Sequence, residues 1–341
     1  MKVLVLGYFG YETNQIDGQT IKTRDVYTLL KNSSNEEVSY FDTQSFQKSK
    51  FKLLSLLLAL IKADIVFYLP AQNNLKFIFP VVYLISKLSS TKINYLVVGG
   101  WLVEFLKNKP FHKYLLSKIN GIYVETNTLY SDLKAYNFTN IHKLHNFRIF
   151  DYPTIELNNK NYSAIRLIFM ARVHPLKGVN LLFDMEEEIN KAGIENVFID
   201  IYGPVFKDYE EEFTSKLKNS EIKYRGILAP SEIYDVLQNY DLMLFPTKYY
   251  TEGFPGTILD AYISGLPVIA TKWLNAEEFV EHGKTGFIVP FDDDEVFIQE
   301  VINIAKNPNI ITELKKAALL KREEYSADRA WGVLKKAIYN V

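Results

Sequence analysis

Twice along this 341-residue chain, short unbroken apolar runs alternate with segments of helical periodicity, and a polar stretch separates the two series. In the first series Lys2–Leu6, Asp64–Leu69, Ile93–Val98 and Gly121–Glu125 read as strands. Thr20–Lys31, Phe51–Lys62, Phe77–Lys87 and Leu102–Lys118 read as helices between and after them. A run such as Ile65-Val66-Phe67-Tyr68-Leu69 has no polar alternation, so it suits a strand covered on both faces, and that is the habit of parallel sheets with crossover helices. After a polar, proline-containing segment over Phe150–Tyr162, strands are expected at Ala164–Met170, Asn196–Tyr202, Ile222–Arg225, Leu242–Phe245, Pro267–Ala270 and Thr285–Val289. Helices are expected at Gly178–Gly193, Tyr209–Lys218, Ser231–Gln238 and Gly256–Ser264, with further helices to the end. Strand–helix alternation of this length predicts two α/β domains of roughly 150 residues each, facing a central cleft with ligands at the carboxyl ends of the strands.

Composition narrows the function classes. The chain has no cysteine, which removes a disulfide framework, thiolate metal sites and a cysteine nucleophile. The apolar start Met1–Gly7 stops at a glycine and reads as a first strand, not as a leader. No stretch reaches the roughly 18 apolar residues of a membrane span. The net charge of −1 conceals an asymmetry: residues 1–150 carry 18 basic and 10 acidic residues, and residues 151–341 carry 21 and 30. A basic first half points to an anionic partner there, a membrane surface or a phosphorylated acceptor. The segment Phe51–Lys62 places Phe51, Leu54, Leu58 and Ile61 on one helical stripe between lysines, a pattern compatible with an anionic bilayer. As a crossover helix packed on its sheet, it would instead bury most of its leucines, and that is the expectation taken here. No motif points to nucleic acid.

Two motifs carry chemistry. In residues 243–270 a strand ends at Phe245, a loop carries Glu252-Gly253-Phe254-Pro255-Gly256, and a helix follows to Ser264-Gly265. Glycine before a helix lets a ligand approach bare N–H groups, which suits a diphosphate, and Asp260 falls in the opening turns of that helix. In residues 169–178 an apolar strand runs into Arg172, with Lys177-Gly178 before the next helix. Two cations at the carboxyl end of a strand can converge on phosphates, the guanidinium bidentately and the ammonium as a point charge. Taken singly, the first motif also fits an ordinary capped loop and the second a solvated one.

Together they are more specific. Arg172, four residues, Lys177-Gly178, and then Glu252-Gly253-Phe254, Asp260-Ala261 and Gly265-Leu266-Pro267-Val268-Ile269-Ala270 resemble the retaining nucleotide-sugar glycosyltransferases of family 4. Tyr202-Gly203-Pro204 and Glu278–Phe287 extend the resemblance over the whole second half. The first half resembles the family in architecture only, with Gly7–Gly10 and Asp17-Gly18-Gln19-Thr20 where its glycine-rich loops lie. The resemblance implies the GT-B fold: two Rossmann-like domains, residues 1–152 (with a returning C-terminal helix at about 325–341) binding the acceptor and residues 153–322 binding the donor. It implies that Arg172 and Lys177 hold the donor diphosphate, that Glu252 contacts the donor sugar as the catalytic residue, and that Asp260 grips the ribose where the family usually has a glutamate. Gly256 and Thr257 would offer N–H groups to phosphate or sugar, and Gly18 and Gln19 would meet substrate from the first domain. Pro255 stands where many relatives have glycine and has no N–H to give. Retention at the anomeric carbon without a divalent metal or other cofactor is implied, with a nucleotide-sugar donor (UDP-sugar by preference), a saccharide or lipid-linked saccharide acceptor, and a role in surface polysaccharide synthesis. The expected location is the cytoplasm, with the basic first half compatible with peripheral contact at the inner face of the plasma membrane.

Other signals point elsewhere and are set aside. Gly283-Lys284-Thr285 has Glu278 where a P-loop needs glycine. Asp292-Asp293-Asp294 precedes a helical segment and reads as capping rather than as a metal site. Gly7-Tyr8-Phe9-Gly10 is not the dinucleotide pattern, and the five histidines have no ligand spacing. The competing functions are a non-catalytic nucleotide or sugar-phosphate binding module of the same fold, and a pyridoxal-phosphate sugar phosphorylase.

Overall fold

The computed structural model describes the chain except for residues 14, 16, 48, 50, 150–154, 156–161, 340 and 341. The chain divides into two units, Met1–Phe150 with Tyr325–Val341, and Asp151–Glu324. Nearly all of the segment expected as a linker lies outside the described residues.

In the first unit the strands are β1 (Lys2–Gly7), β2 (Glu37–Asp42), β3 (Ile65–Leu69), β4 (Lys92–Leu96), β5 (Gly121–Val124) and β6 (Ile141–Lys143), all parallel, in the order β2-β1-β3-β4-β5-β6. Strand β3 is buried throughout, as its unbroken apolar run requires. The second unit holds β7 (Ile165–Met170), β8 (Val197–Tyr202), β9 (Lys223–Tyr224), β10 (Leu242–Phe245), β11 (Val268–Thr271) and β12 (Gly286–Val289), in the order β12-β11-β10-β7-β8-β9. Chain order reverses between β7 and β10, which lie side by side in parallel. Helices from successive crossovers leave in opposite directions at such a point and open a crevice at the carboxyl ends of the two strands. In the first sheet the reversal lies at β1 and β3.

Several elements differ from the sequence reading, among them helices at Gln72–Phe77 and Asn127–Ala135 that it did not include. Strand β2 is half exposed at a sheet edge, so its sequence, EVSYFD, lacks the apolar run that marks the central strands, and β6 is only three residues long. The helix expected over Leu102–Lys118 is two helices, Leu102–Leu106 and Pro110–Ser117. Pro110 cannot donate to the preceding turn and instead opens the second helix. The expectation for Phe51–Lys62 is also corrected. The helix there, Lys52–Lys62, buries only Leu56 and Leu60 and leaves Leu53, Leu54, Leu58 and Ile61 exposed, with Phe51 beside them. Among the described residues, no helix is long and apolar enough to cross a membrane.

The C-terminal helix Ala327–Tyr339 buries Ala330, Leu334 and Ile338 in a cluster with Val3, Val5, Phe67, Leu96 and Tyr123 of the first sheet. On the same face Lys22, from the helix Gly18–Ser33, is 1% exposed and forms an ion pair with Glu125, 5% exposed, just after β5. The Val97 carbonyl lies 3.4 Å from the same ammonium. Removing one member of such a pair strands a buried charge, which costs more than losing both. We therefore expect Glu125→Leu to lower unfolding free energy by about 3–5 kcal/mol. Lys22→Met/Glu125→Leu should recover most of that loss in urea titrations. A double variant as unstable as the single one would contradict a dominant charge penalty.

Candidate functional site

The loops that leave β7, β10 and β11 in the second unit are joined at the reversal point by a small number of contacts. Arg172 lies two residues beyond the end of β7, is exposed, and makes no hydrogen bond or ion pair with a described residue. The chain then enters a short 3-10 turn, Pro175–Lys177, which the His174 side chain caps by accepting the Leu176 N–H at 3.0 Å. Gly178 follows with φ +80°, and a Cβ on it would lie 1.8 Å from the Pro246 carbonyl oxygen. That contact fixes how closely the loops after β7 and β10 can approach. The Lys248 N–H donates to the Leu176 carbonyl at 3.0 Å and closes the same seam. Gly203 supports it from the other side: at φ +136° it lies against the Ala171 carbonyl, where no side chain would fit.

This approach brings Lys177 and Glu252, 75 residues apart, into an ion pair. Both side chains are partly buried, at 23% and 14% exposure, so the pair is screened less than a surface pair while remaining open to a ligand. Glu252 is oriented on two sides. Thr247 Oγ1 lies 3.4 Å from the Glu252 carboxylate, and the Asn275 side-chain amide donates to the Glu252 backbone carbonyl at 2.7 Å. Thr247 is itself held by the Thr271 hydroxyl, which donates to its carbonyl at 2.7 Å. The Tyr249 ring lies beside the Lys177 ammonium, 5.9 Å from ring centroid to nitrogen.

The helix Gly256–Ile263 begins just after Glu252, and no side chain caps its first turn. The N–H groups of Gly256 and Thr257 therefore have no partner within the helix and carry the positive end of its dipole. Thr257 Oγ1 donates to the Met170 carbonyl at 3.0 Å, so this first turn is tied to the end of β7. Asp260, one turn on, is buried and accepts a hydrogen bond from the Tyr234 hydroxyl at 3.2 Å. Arg172, Lys177, Glu252, Gly256 and Thr257 thus belong to loops and a helix start that are mutually fixed, with Asp260 directly behind them.

Gly18 and Gln19 belong to the first unit and are described there. They open the helix Gly18–Ser33 after β1, and its end is already capped: Asp17 accepts from the Gln19 and Thr20 N–H groups. Those donors are committed to a carboxylate, so this terminus offers an anion less than the start of Gly256–Ile263 does. The Gln19 side-chain amide donates to the Leu69 carbonyl at 3.2 Å and bridges the reversal point of the first sheet. Asp292-Asp293-Asp294 is occupied structurally. Asp293 accepts from the Val296 N–H at the start of a helix, and Asp292 and Asp294 both accept from Lys248. Lys248, Thr247 and Asn275 escape sequence reasoning because nothing in their local sequence shows that three strand ends meet.

Residues 164–307 match the model of the family described as glycosyl transferases group 1. Among curated proteins, the chain is 27% identical over 162 residues to alpha-monoglucosyldiacylglycerol synthase of Acholeplasma laidlawii, a match covering 47% of this chain and 40% of that one. It is 22% identical over 179 residues to the amylovoran biosynthesis glycosyltransferase AmsK of Erwinia amylovora, covering 50% and 43%. The chain therefore spans less than half the length of these relatives. Over its whole length it superimposes on the whole of Anabaena Alr3699/HepE, solved in complex with UDP, with a TM-score of 0.75 and 17% identity. The chain has the two-domain α/β fold of the GT-B class.

Gly178→Ala tests the seam. The added methyl would meet the Pro246 carbonyl, and φ +80° would be strained in any case, for about 1–3 kcal/mol from backbone strain alone. We expect lower stability in urea titrations and a loosened site. An alanine variant as stable as the parent would contradict the close approach.

Proposed function

We propose that this chain is a retaining glycosyltransferase that moves a hexose-type sugar from a nucleotide diphosphate donor, UDP-sugar by preference, to a saccharide or lipid-linked saccharide acceptor in surface polysaccharide synthesis. One observation carries the reading. At the switch point of the second sheet an unpaired Arg172, the Lys177–Glu252 pair and the uncapped start of the helix Gly256–Ile263 are fixed together. The family match over the same residues supports it, as does the UDP held by a relative of the same fold.

The chemistry follows from charge. Breaking the bond between the anomeric carbon and a diphosphate builds negative charge on the departing oxygen. Arg172, Lys177 and the first-turn N–H groups stabilise that charge more in the transition state than in the ground state. Lys177 is held by Glu252 in the free protein, so a diphosphate would exchange one anionic partner of the lysine for another and release the carboxylate towards the sugar. Glu252, fixed by Thr247 and Asn275, then faces the reacting centre, and Asp260 takes the ribose. In this reading protein cations bear the leaving-group charge, and no divalent metal or other cofactor is required.

The first unit would take the acceptor, and its surface favours one presented on an anionic membrane. The helix Lys52–Lys62 packs beside Phe79–Ser89, which in turn packs beside Pro110–Ser117. The three expose Leu54, Leu58, Leu84, Leu88, Phe111 and Tyr114. Residues 46–90 carry six lysines and a single acid, Asp64, whose carboxylate accepts the Lys2 N–H. Exposed apolar residues on segments that also expose Lys52, Lys62, Lys76 and Lys87 match a bilayer with acidic headgroups, which would place the protein at the inner face of the plasma membrane.

Two measurements test these readings. Calorimetric titration with UDP, GDP and ADP should give saturable binding of one of them. Arg172→Ala should weaken it about tenfold or more, and EDTA should leave it unchanged. Glu252→Gln should spare nucleotide binding and lower donor turnover by about 100-fold or more. No binding at millimolar nucleotide, or indifference to Arg172→Ala, would favour a non-catalytic module with a different ligand. Separately, the protein should float with phosphatidylglycerol vesicles and not with neutral ones, and Leu58→Glu/Leu84→Glu should abolish flotation. Equal behaviour on both lipids would contradict the membrane surface.

A further inference from the structure

Glu252 lies in a segment that is neither helix nor strand, residues 246–255 between β10 and the helix Gly256–Ile263. Such a segment has no ladder of its own, so its position is set by what it touches. One group of contacts comes from the end of β11 and the loop after it. Thr271 holds the Thr247 carbonyl and Asn275 the Glu252 carbonyl, and the Leu274 N–H donates to the Tyr250 carbonyl at 2.9 Å.

A second group comes from the turn after β12. The Lys248 ammonium donates to Asp292 Oδ1 at 2.9 Å and to both carboxylate oxygens of Asp294, at 2.7 and 2.8 Å. The Tyr250 ring meets the Phe291 ring edge to face, 5.1 Å between centroids, a favoured aromatic geometry. Asp292 stands at φ +61°, a left-handed conformation that few side chains other than Asn and Asp adopt. The turn therefore grips the segment at residues 248 and 250. Between them lies Tyr249, whose ring is beside the Lys177 ammonium.

The ion pairs of Lys248 contribute little to stability, because the side chains of Asp292 and Asp294 are 68% and 40% exposed. Three oxygens around one ammonium fix its direction as well as its distance. The backbone N–H of the same residue is bonded to Leu176, next to Lys177. Lys248 thus touches both halves of the Lys177–Glu252 pair: the loop that carries the lysine through its N–H, and the segment that carries the carboxylate through the chain itself.

We infer that Lys248 is a positioning residue for Glu252, with Tyr250 as its companion. Held by the turn at residues 291–294, they set where the Glu252 carboxylate stands relative to Lys177. On the transferase reading proposed above, on which this part of the inference rests, they also set where it stands relative to the donor sugar. A misplacement of about 1 Å in a reacting group costs about 100-fold in rate. The three successive aspartates then divide two roles: Asp293 caps the helix Asp294–Lys306, and its neighbours anchor Lys248.

The test is a double-mutant cycle on the Lys177–Glu252 pair, with Lys177→Met, Glu252→Gln and both, followed by urea titration in the parent chain and again in Lys248→Met. The coupling between the two residues should fall by half or more in Lys248→Met. Lys248→Arg, which can still bind both carboxylates, should restore most of it. Asp292→Asn/Asp294→Asn, which spares the capping Asp293, should lower the coupling as Lys248→Met does, and combining the two should lower it no further. Lys248→Met should also lower turnover of a UDP-sugar about tenfold or more and leave UDP affinity within about twofold. Unaltered coupling in Lys248→Met would overturn the proposal. So would turnover and UDP affinity lost together, since that is a general loosening of the site. Coupling that falls in a chain whose parent neither binds UDP nor turns over a UDP-sugar would uphold the positioning of Glu252 and count against the transferase reading alone.

Discussion

The arrangement of the second unit depends on the close contact between Gly178 and the Pro246 carbonyl. Strands β7 and β10 are neighbours in space but 71 residues separate the end of one from the start of the other. The sheet brings their carboxyl ends together. Only the absence of a side chain at residue 178 lets the two loops then meet closely enough for Lys177 to reach Glu252. The lysine and the carboxylate each pay for partial burial, and each offsets the other's desolvation. A pair of this kind holds opposite charges ready at a partly exposed position without leaving either one isolated in the free protein.

The same logic explains the surrounding polar contacts. Thr247, Asn275 and Thr257 spend their side chains on backbone carbonyls or on the Glu252 carboxylate. They tie the ends of three strands into a single rigid frame. Pre-set geometry lets a site stabilise developing charge without reorganising during the reaction. Lys248 does comparable work at the edge by binding Asp292 and Asp294, and through its backbone it closes the seam to Leu176. The first unit uses a different device. Its sheet is braced from within by the Lys22–Glu125 pair, and its outer helices leave their apolar stripes uncovered.

Much of the fold was legible because buried parallel strands have a distinctive sequence: Ile65–Leu69 and Leu242–Phe245 contain no polar residue, and both are central strands. Strand β2 was not legible, because an edge strand exposed to water has no reason to be apolar. The helical stripe at Phe51–Lys62 was visible in sequence, but its solvent exposure was not, since an amphipathic helix looks the same whether its apolar face meets a sheet or a bilayer. At the site, Arg172 and Lys177 stood out as two cations after a strand, and Glu252 stood out only through the resemblance that its motif carries. Tyr234 as the partner of Asp260, and Asn275 as a brace for Glu252, arise only from tertiary contact. Lys22 carries no sign of its burial, because a lysine in a helix reads as surface until a carboxylate is found to meet it.

The central claim is that Arg172, Lys177 and the start of the helix Gly256–Ile263 form one diphosphate site. A crystal structure of the protein with UDP tests it most directly. The account predicts both phosphates within hydrogen-bond reach of Arg172 and Lys177, the N–H groups of Gly256 and Thr257 turned towards them, and the lysine withdrawn from Glu252. A diphosphate seated at any other strand end, with the Lys177–Glu252 pair undisturbed, would contradict it.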